Sequence, residues 1–90
     1  MKNYELHLEV IAPETVVFEG AVRLVQVPGV AGIFTILKHH APIVARLDKG
    51  GIRIVDESGK ENVIDCEGGF LECRENMITI LLDRVAKEAE

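Results

Sequence analysis

Val27-Pro28-Gly29-Val30-Ala31-Gly32-Ile33-Phe34-Thr35-Ile36-Leu37-Lys38-His39-His40-Ala41-Pro42 is the stretch from which the rest of the chain can be read. It predicts two tight corners with a strand between them. Pro28 fixes φ, and Gly29 and Gly32 supply the backbone freedom that a sharp reversal needs. Ile33 to Leu37 then reads as a buried strand. Pro42 has no amide hydrogen and drives Ala41 away from helical angles, so the second corner, beginning near Lys38, is expected to be extended and rigid.

Upstream of this stretch, Tyr4, Leu6, Leu8 and Val10 alternate with Glu5, His7 and Glu9. A period of two makes a strand with one buried and one wet face. It ends at the turn Ala12-Pro13-Glu14. Thr15 to Phe18 reads as a short strand closed by Glu19-Gly20, and Ala21 to Val27 as a longer one that pairs with it. Downstream, Ile43 to Leu47 is a strand, and Asp48-Lys49-Gly50-Gly51 is expected to turn the chain into Ile52-Arg53-Ile54-Val55. Asp56-Glu57-Ser58-Gly59-Lys60 sits between two β-rich runs, with Asn62 to Cys66 as the returning strand. Gly68-Gly69 marks a bend or bulge before Phe70 to Cys73. Arg74-Glu75-Asn76 turns into Met77 to Leu82, the last buried strand. Asp83 is placed to cap Arg84 to Glu90, a helix-prone tail.

This pattern predicts an all-β, antiparallel β-sandwich of about eight to ten short strands. A closed small barrel is the alternative. The expected organisation is a sandwich domain over 1–82 and a short helical stub over 83–90.

Ninety residues make one domain, and an apolar share of 48% with few aromatics is enough for a Val- and Ile-rich packed core. Fifteen acidic against ten basic residues leave a net charge of −5, which repels a phosphate backbone and argues against nucleic acid. No run has the length of a transmembrane helix, and the start Met1-Lys2-Asn3-Tyr4-Glu5 is not an apolar signal segment. The expectation is a soluble chain made where it works. Cys66 and Cys73 have no metal-ligand spacing and read as buried free thiols, which suits a reducing compartment.

The residues offer little chemistry. Ser58 lies in a hairpin turn, where it shapes backbone, and the two cysteines lie among apolar strand neighbours. His39 and His40 are adjacent, so on extended backbone they point to opposite faces and cannot hold one metal. His39 reads as a solvated residue; His40 reads either as a corner residue bonded to a backbone carbonyl or as part of an interface. Gly29 to Gly32 lacks the Lys-Ser/Thr of a phosphate loop. With no Trp and one Tyr there is no aromatic platform for sugars. Val30, Ala31 and Ile33 are apolar at a turn, where they form an exposed docking tip or tuck beneath the neighbouring corner.

The chain resembles the epsilon subunit of F-type ATP synthases, called delta in mitochondria. The family motif runs roughly Val-Pro-Gly-x-x-Gly-x-(Phe or Leu)-Gly-(Val or Ile)-Leu-x-x-His-Ala-Pro. Val27, Pro28, Gly29, Gly32, Phe34, Ile36, Leu37, His40, Ala41 and Pro42 fit it. Thr35 replaces the usual glycine, and Lys38-His39 a common Pro-Gly. Further matches are His7-Leu8-Glu9-Val10, Pro13-Glu14 with Phe18-Glu19-Gly20, Gly51-Ile52-Arg53-Ile54, and Gly68-Gly69-Phe70-Leu71-Glu72.

The resemblance implies a non-catalytic subunit at the foot of the central stalk, without cofactor or metal. Such a subunit binds the gamma subunit and the polar loops of the membrane rotor ring, coupling ion-driven rotation to ATP synthesis. It implies a peripheral location on the cytoplasmic face of the bacterial plasma membrane. Carried over by position, Gly29, Val30, Ala31, Gly32 and Ile33 face the ring. Phe18, His40, Ala41, Pro42, Val44 and Val63 lie toward gamma. Typical bacterial members continue into a helical hairpin that inhibits hydrolysis and in some binds ATP; a chain ending at Glu90 is expected to do neither. The alternatives are a generic β-sandwich adaptor, which has no reason to carry the motif, and a small enzyme, which needs a pocket of converging titratable groups.

Overall fold

The computed structural model of the chain describes residues 5–84. Six strands follow one another: β1 (His7–Ala12), β2 (Thr15–Gly29), β3 (Gly32–Leu37), β4 (Ile43–Asp56), β5 (Glu61–Arg74) and β6 (Met77–Leu82). They pair in the order β1-β6-β5-β4-β2-β3, and β1 also pairs with β2. The pairing therefore runs round a closed ring, with β3 attached to β2 alone among the described residues. A sandwich whose long strands pass from one face to the other has this connectivity, so the two architectures anticipated from sequence merge.

The strand count falls short of the expected eight to ten because the breaks anticipated at Glu19-Gly20 and Asp48 to Gly51, and the bend or bulge anticipated at Gly68-Gly69, all lie within continuous strands. Thr15 to Phe18 and Ala21 to Val27 do not pair with each other; both belong to β2. Asp48 to Gly51 does not reverse the chain, and β4 and β5 keep one register from Ile43 opposite Cys73 to Val55 opposite Glu61. At the bends of β4 and β5 the buried phase changes. In β4 Leu47 is buried, then Ile52 and Ile54; in β5 Cys66, then Leu71 and Cys73. Side chains alternate with a period of two, so such a switch between odd and even positions means that the strand has bent to present its other side to the core.

Two further expectations are corrected. The sheet is not wholly antiparallel, since β1 runs parallel to β6 from His7 opposite Met77 to Ile11 opposite Leu81. This pair closes the ring. The segment Ile33 to Leu37 is an edge strand rather than a buried one: Ile36 is buried, while Ile33 and Leu37 are 73% and 54% exposed. The anticipated helix over Arg84 to Glu90 falls, but for its first residue, outside the described residues. Asp83 donates its amide to the carbonyl of Gly68 at 2.9 Å.

The core is aliphatic. Leu6, Leu8, Val10, Val25, Val27, Ile36, Ile52, Ile54, Leu71, Ile78 and Ile80 are buried, drawn from every strand and the residue before β1. Cys66 and Cys73 are free and buried among them, as expected.

Short turns set the register. Glu75 and Asn76, with φ of 50° and 64°, make the two-residue reversal between β5 and β6, and both in the left-handed region matches the twist of a tight hairpin. In the β4–β5 turn one oxygen of Asp56, Oδ1, accepts from the Ser58 amide at 2.9 Å, the Ser58 hydroxyl at 2.7 Å and the Lys60 amide at 2.9 Å. The Ser58 hydroxyl first, then the Lys60 amide, hold this carboxyl below its ordinary value of 3.8. A carboxyl whose folded pKa is depressed stabilises the fold fully above the unfolded value and loses that contribution as pH falls through the folded one. Thermal unfolding followed down in pH is expected to lose stability below about pH 4, and Asp56→Asn to flatten part of that fall. An unchanged acid limb in the variant would exclude the turn as its source.

Candidate functional site

β2 and β3 meet at Gly29 opposite Gly32, leaving Val30 and Ala31 as the turn. The close approach needs glycine: a Cβ on Gly29 would lie 2.7 Å from the Gly32 carbonyl oxygen and 2.9 Å from the Phe34 ring. The turn is braced from β4, since the Val30 amide donates to the Arg46 carbonyl at 2.9 Å. Of the two readings left open by sequence, the exposed one holds. Val30 is 57% and Ile33 73% exposed, and Ala31 is exposed beside them. Behind the tip is a shallow dish of about 350 Å³, lined by Gly29, Val30, Phe34, Ile43, Val44 and Arg46 among others.

The remaining residues singled out from sequence do not form one patch with the tip. Val44 is 75% exposed and does border the dish. Phe18 sits on β2 opposite Val10, partly buried against the core. Val63 is 63% exposed on β5 opposite Arg53. His40, Ala41 and Pro42 form the corner between β3 and β4. There the His40 Nδ1 lies 2.7 Å from the Ala41 carbonyl; with its proton on Nδ1 the ring donates to that oxygen, the corner-residue arrangement.

Sequence reasoning missed what holds this corner. His39 has φ of 68°, and its amide donates to Oδ1 of Asn76 at 2.7 Å, across 37 residues of sequence. Asn76 is buried, and its carbonyl accepts from the His7 amide at 2.8 Å. One residue thus ties the β5–β6 turn to the β3–β4 corner through its side chain and to the start of β1 through its backbone carbonyl. Asn76→Gly tolerates the positive φ but lacks the acceptor, and is expected to cost about 1–2 kcal/mol. Asn76→Ala adds strain at positive φ, for about 1 kcal/mol more. Denaturant unfolding measures the costs, and amide exchange at His39 should quicken in both variants. Unchanged exchange would show that Asn76 is not the clamp.

Among the described residues neither cysteine is an activated nucleophile. Burial pushes the thiols of Cys66 and Cys73 above their usual range, so at neutral pH both are protonated and poor nucleophiles. No group of His, Cys, Asp and Glu able to hold a metal occurs among the described residues, and no described helix is long and apolar enough to cross a membrane. What the geometry offers is an apolar tip on a stiff two-strand support, suited to contact.

Residues 5–88 match the family model of the ATP synthase Delta/Epsilon chain, beta-sandwich domain. The chain belongs to this family. Among similar proteins, the ATP synthase epsilon chain of Leptospira borgpetersenii is 41% identical over 86 residues, which is 96% of this chain and 67% of that one. The epsilon chain of Delftia acidovorans is 33% identical over 85 residues, covering 94% of this chain and 62% of its own length. In fold, the delta/epsilon domain is similar to a chain in the cryo-EM structure of Euglena gracilis mitochondrial ATP synthase, OSCP/F1/c-ring, with a TM-score of 0.83 at 18% identity. That likeness covers 91% of this chain and 52% of the Euglena one. A chain of the Tetrahymena thermophila mitochondrial ATP synthase central stalk and c-ring gives 0.74 at 13% identity, over 92% and 66% of the two chains. The delta/epsilon domain described here thus spans about half to two-thirds of these relatives' lengths.

Proposed function

We propose that this delta/epsilon domain is a non-catalytic part of the rotor of an F-type ATP synthase, joining the gamma subunit to the ring of membrane subunits. In a bacterial cell it works on the cytoplasmic face of the plasma membrane, as part of that complex. The supporting observation is the exposed apolar tip Val30-Ala31 with Ile33, carried on the hairpin that the family motif builds. Gly29, Val30, Ala31, Gly32 and Ile33 meet the ring by packing rather than charge. Phe18, His40, Ala41, Pro42, Val44 and Val63 mark the sides offered to gamma, so gamma grips the domain at several separated points. A close-packed aliphatic interior resists compression, the property that a part transmitting torque needs.

The test is co-purification. The chain is tagged in its source cell, recovered under mild detergent, and its companions identified by mass spectrometry. Gamma and ring subunits are the expected companions. Recovery of an unrelated partner without either would replace the stalk reading by that of a β-sandwich adaptor.

A further inference from the structure

β3 leaves one side of its backbone without a neighbouring strand. Among the described residues it pairs with β2 alone, while the second half of β2 lies between β3 and β4. The β2–β3 hairpin closes on Gly29 opposite Gly32 around a two-residue turn, which makes that pair a hydrogen-bonded one. Alternation then fixes the rest. Gly32, Phe34 and Ile36 turn their N–H and C=O toward β2, and Ile33, Thr35 and Leu37 turn theirs outward. Pro28, which has no N–H, stands opposite Ile33, where the hairpin asks for none. Ile33 and Leu37 are mostly exposed, and Thr35 lies between them with its hydroxyl 3.3 Å from Gln26 Nε2.

Open strand edges are ordinarily guarded by charge, proline or a bulge. The first half of β5, which among the described residues pairs with β4 alone, follows that rule with Glu61, Asp65 and Glu67. β3 does not. Gly32-Ile33-Phe34-Thr35-Ile36-Leu37 holds no charge and no proline, and its register with β2 has no bulge. No Asp or Glu occurs between Glu19 and Asp48, so the acidic excess behind the chain charge of −5 is carried elsewhere.

We infer that this edge takes a second copy of the chain, β3 running antiparallel to β3 about a two-fold axis at Thr35. The segment is its own complement. Thr35 meets Thr35 and Ile33 meets Leu37, with about four main-chain hydrogen bonds donated by the outward N–H groups of Thr35 and Leu37. The Leu37 carbonyl already accepts from the His40 amide at 3.1 Å. Register extends the match inward from the edge. Val55, Leu24 and Leu37 stand opposite one another on β4, β2 and β3, and Pro28 stands opposite Ile33. Pairing therefore joins the apolar row Val55-Leu24-Leu37 to Ile33 and Pro28 of the second copy, on each side of a polar centre formed by Arg53, Gln26 and Thr35. Such cross-strand pairs are the unit of sheet stability. A second copy supplies this order by symmetry and brings no carboxylate of β3 to the contact. The pairing rests on register and charge, and stands whether or not the stalk reading does. Under that reading Ile33 belongs also to the ring contact, so the dimer is a form of the free chain.

The interface is small, and half-association is expected on the order of 100 µM. Sedimentation equilibrium of the 90-residue chain over a concentration series measures it. In a mixture of isotope-labelled and unlabelled chains, nuclear Overhauser contacts between copies should join the α-hydrogens of Phe34 and Ile36, because non-hydrogen-bonded pairs bring the two backbones closest. Thr35→Pro deletes an outward N–H from each copy and leaves the bonds to β2 intact, and proline is tolerated on an edge. It is expected to weaken association about tenfold or more, with the melting temperature of the dilute chain unchanged. Thr35→Lys, which sets like charges opposite each other, is the second variant should the first lose its folded spectrum. A chain that stays single up to about 1 mM overturns the inference. So does undiminished association in a folded variant, or contact between copies through Phe70 and Leu81 in place of β3.

Discussion

A methyl group at Gly69 is expected to cost the fold about 2–3 kcal/mol, the upper part of the range for an overpacked interior. Gly69 is buried in β5 opposite Leu82 of β6. A Cβ there would fall on the carbonyl oxygen of Leu81 and within 3.1 Å of the Leu82 Cα. The obstacle is backbone, so no rotamer change relieves it. β6 must shift, and β6 is held between β5 and β1. For a domain of this size such a cost lowers the melting temperature by roughly 10–25 °C. Gly51→Ala is the control, because the nearest atom is Val63 Cγ1 at 3.2 Å on an exposed side chain that can turn away. Thermal unfolding of Gly69→Ala, Gly51→Ala and the parent chain measures the difference; a Gly69→Ala melting point within a few degrees of the parent would contradict the packing described.

Val30→Asp and Ile33→Asp are expected to detach the domain from the rotor ring while leaving it folded. Both side chains are more than half exposed at the β2–β3 turn, so neither supports the core and each charge stays hydrated in the isolated domain. In the proposed contact each apolar side chain contributes about 1.5–3 kcal/mol by leaving water, and a carboxylate there would also be buried without a partner. The expected loss is about 10–100-fold in ring binding per substitution, read as ring subunit recovered with the tagged chain, with a melting temperature unchanged. Full recovery of the ring in both variants would move the contact elsewhere on the domain.

Much of this architecture was legible because it is local. Alternation in Leu6, Leu8 and Val10 marked β1; the Asp56 to Lys60 turn and the Glu75-Asn76 reversal were placed by their turn chemistry, and Gly29 with Gly32 marked the tip. The phase change between Leu47 and Ile52, and between Cys66 and Leu71, is also written in the chain. In β5 it accompanies the bend or bulge anticipated at Gly68-Gly69; in β4 it was available as a sign of a bend rather than a turn, but glycine pairs serve both purposes, and Asp48-Lys49-Gly50-Gly51 has the composition of a turn. Which side of the tip faces solvent was not legible, since apolar residues at a turn pack under a corner or stand clear depending on where the corner lies.

Chain sequence by itself determined the β class, the places of the strands, the short hairpin turns, the free buried cysteines and the family, since each depends on residues within a few positions of one another or on a motif in order. Tertiary structure alone decided that about eight to ten segments are six strands, that β1 lies parallel to β6, that Asn76 holds the His39 corner, and that Val55, Leu24 and Leu37 line up across β4, β2 and β3. All four depend on register between strands far apart in the chain, and that register is set by which faces can be buried together once the ring closes.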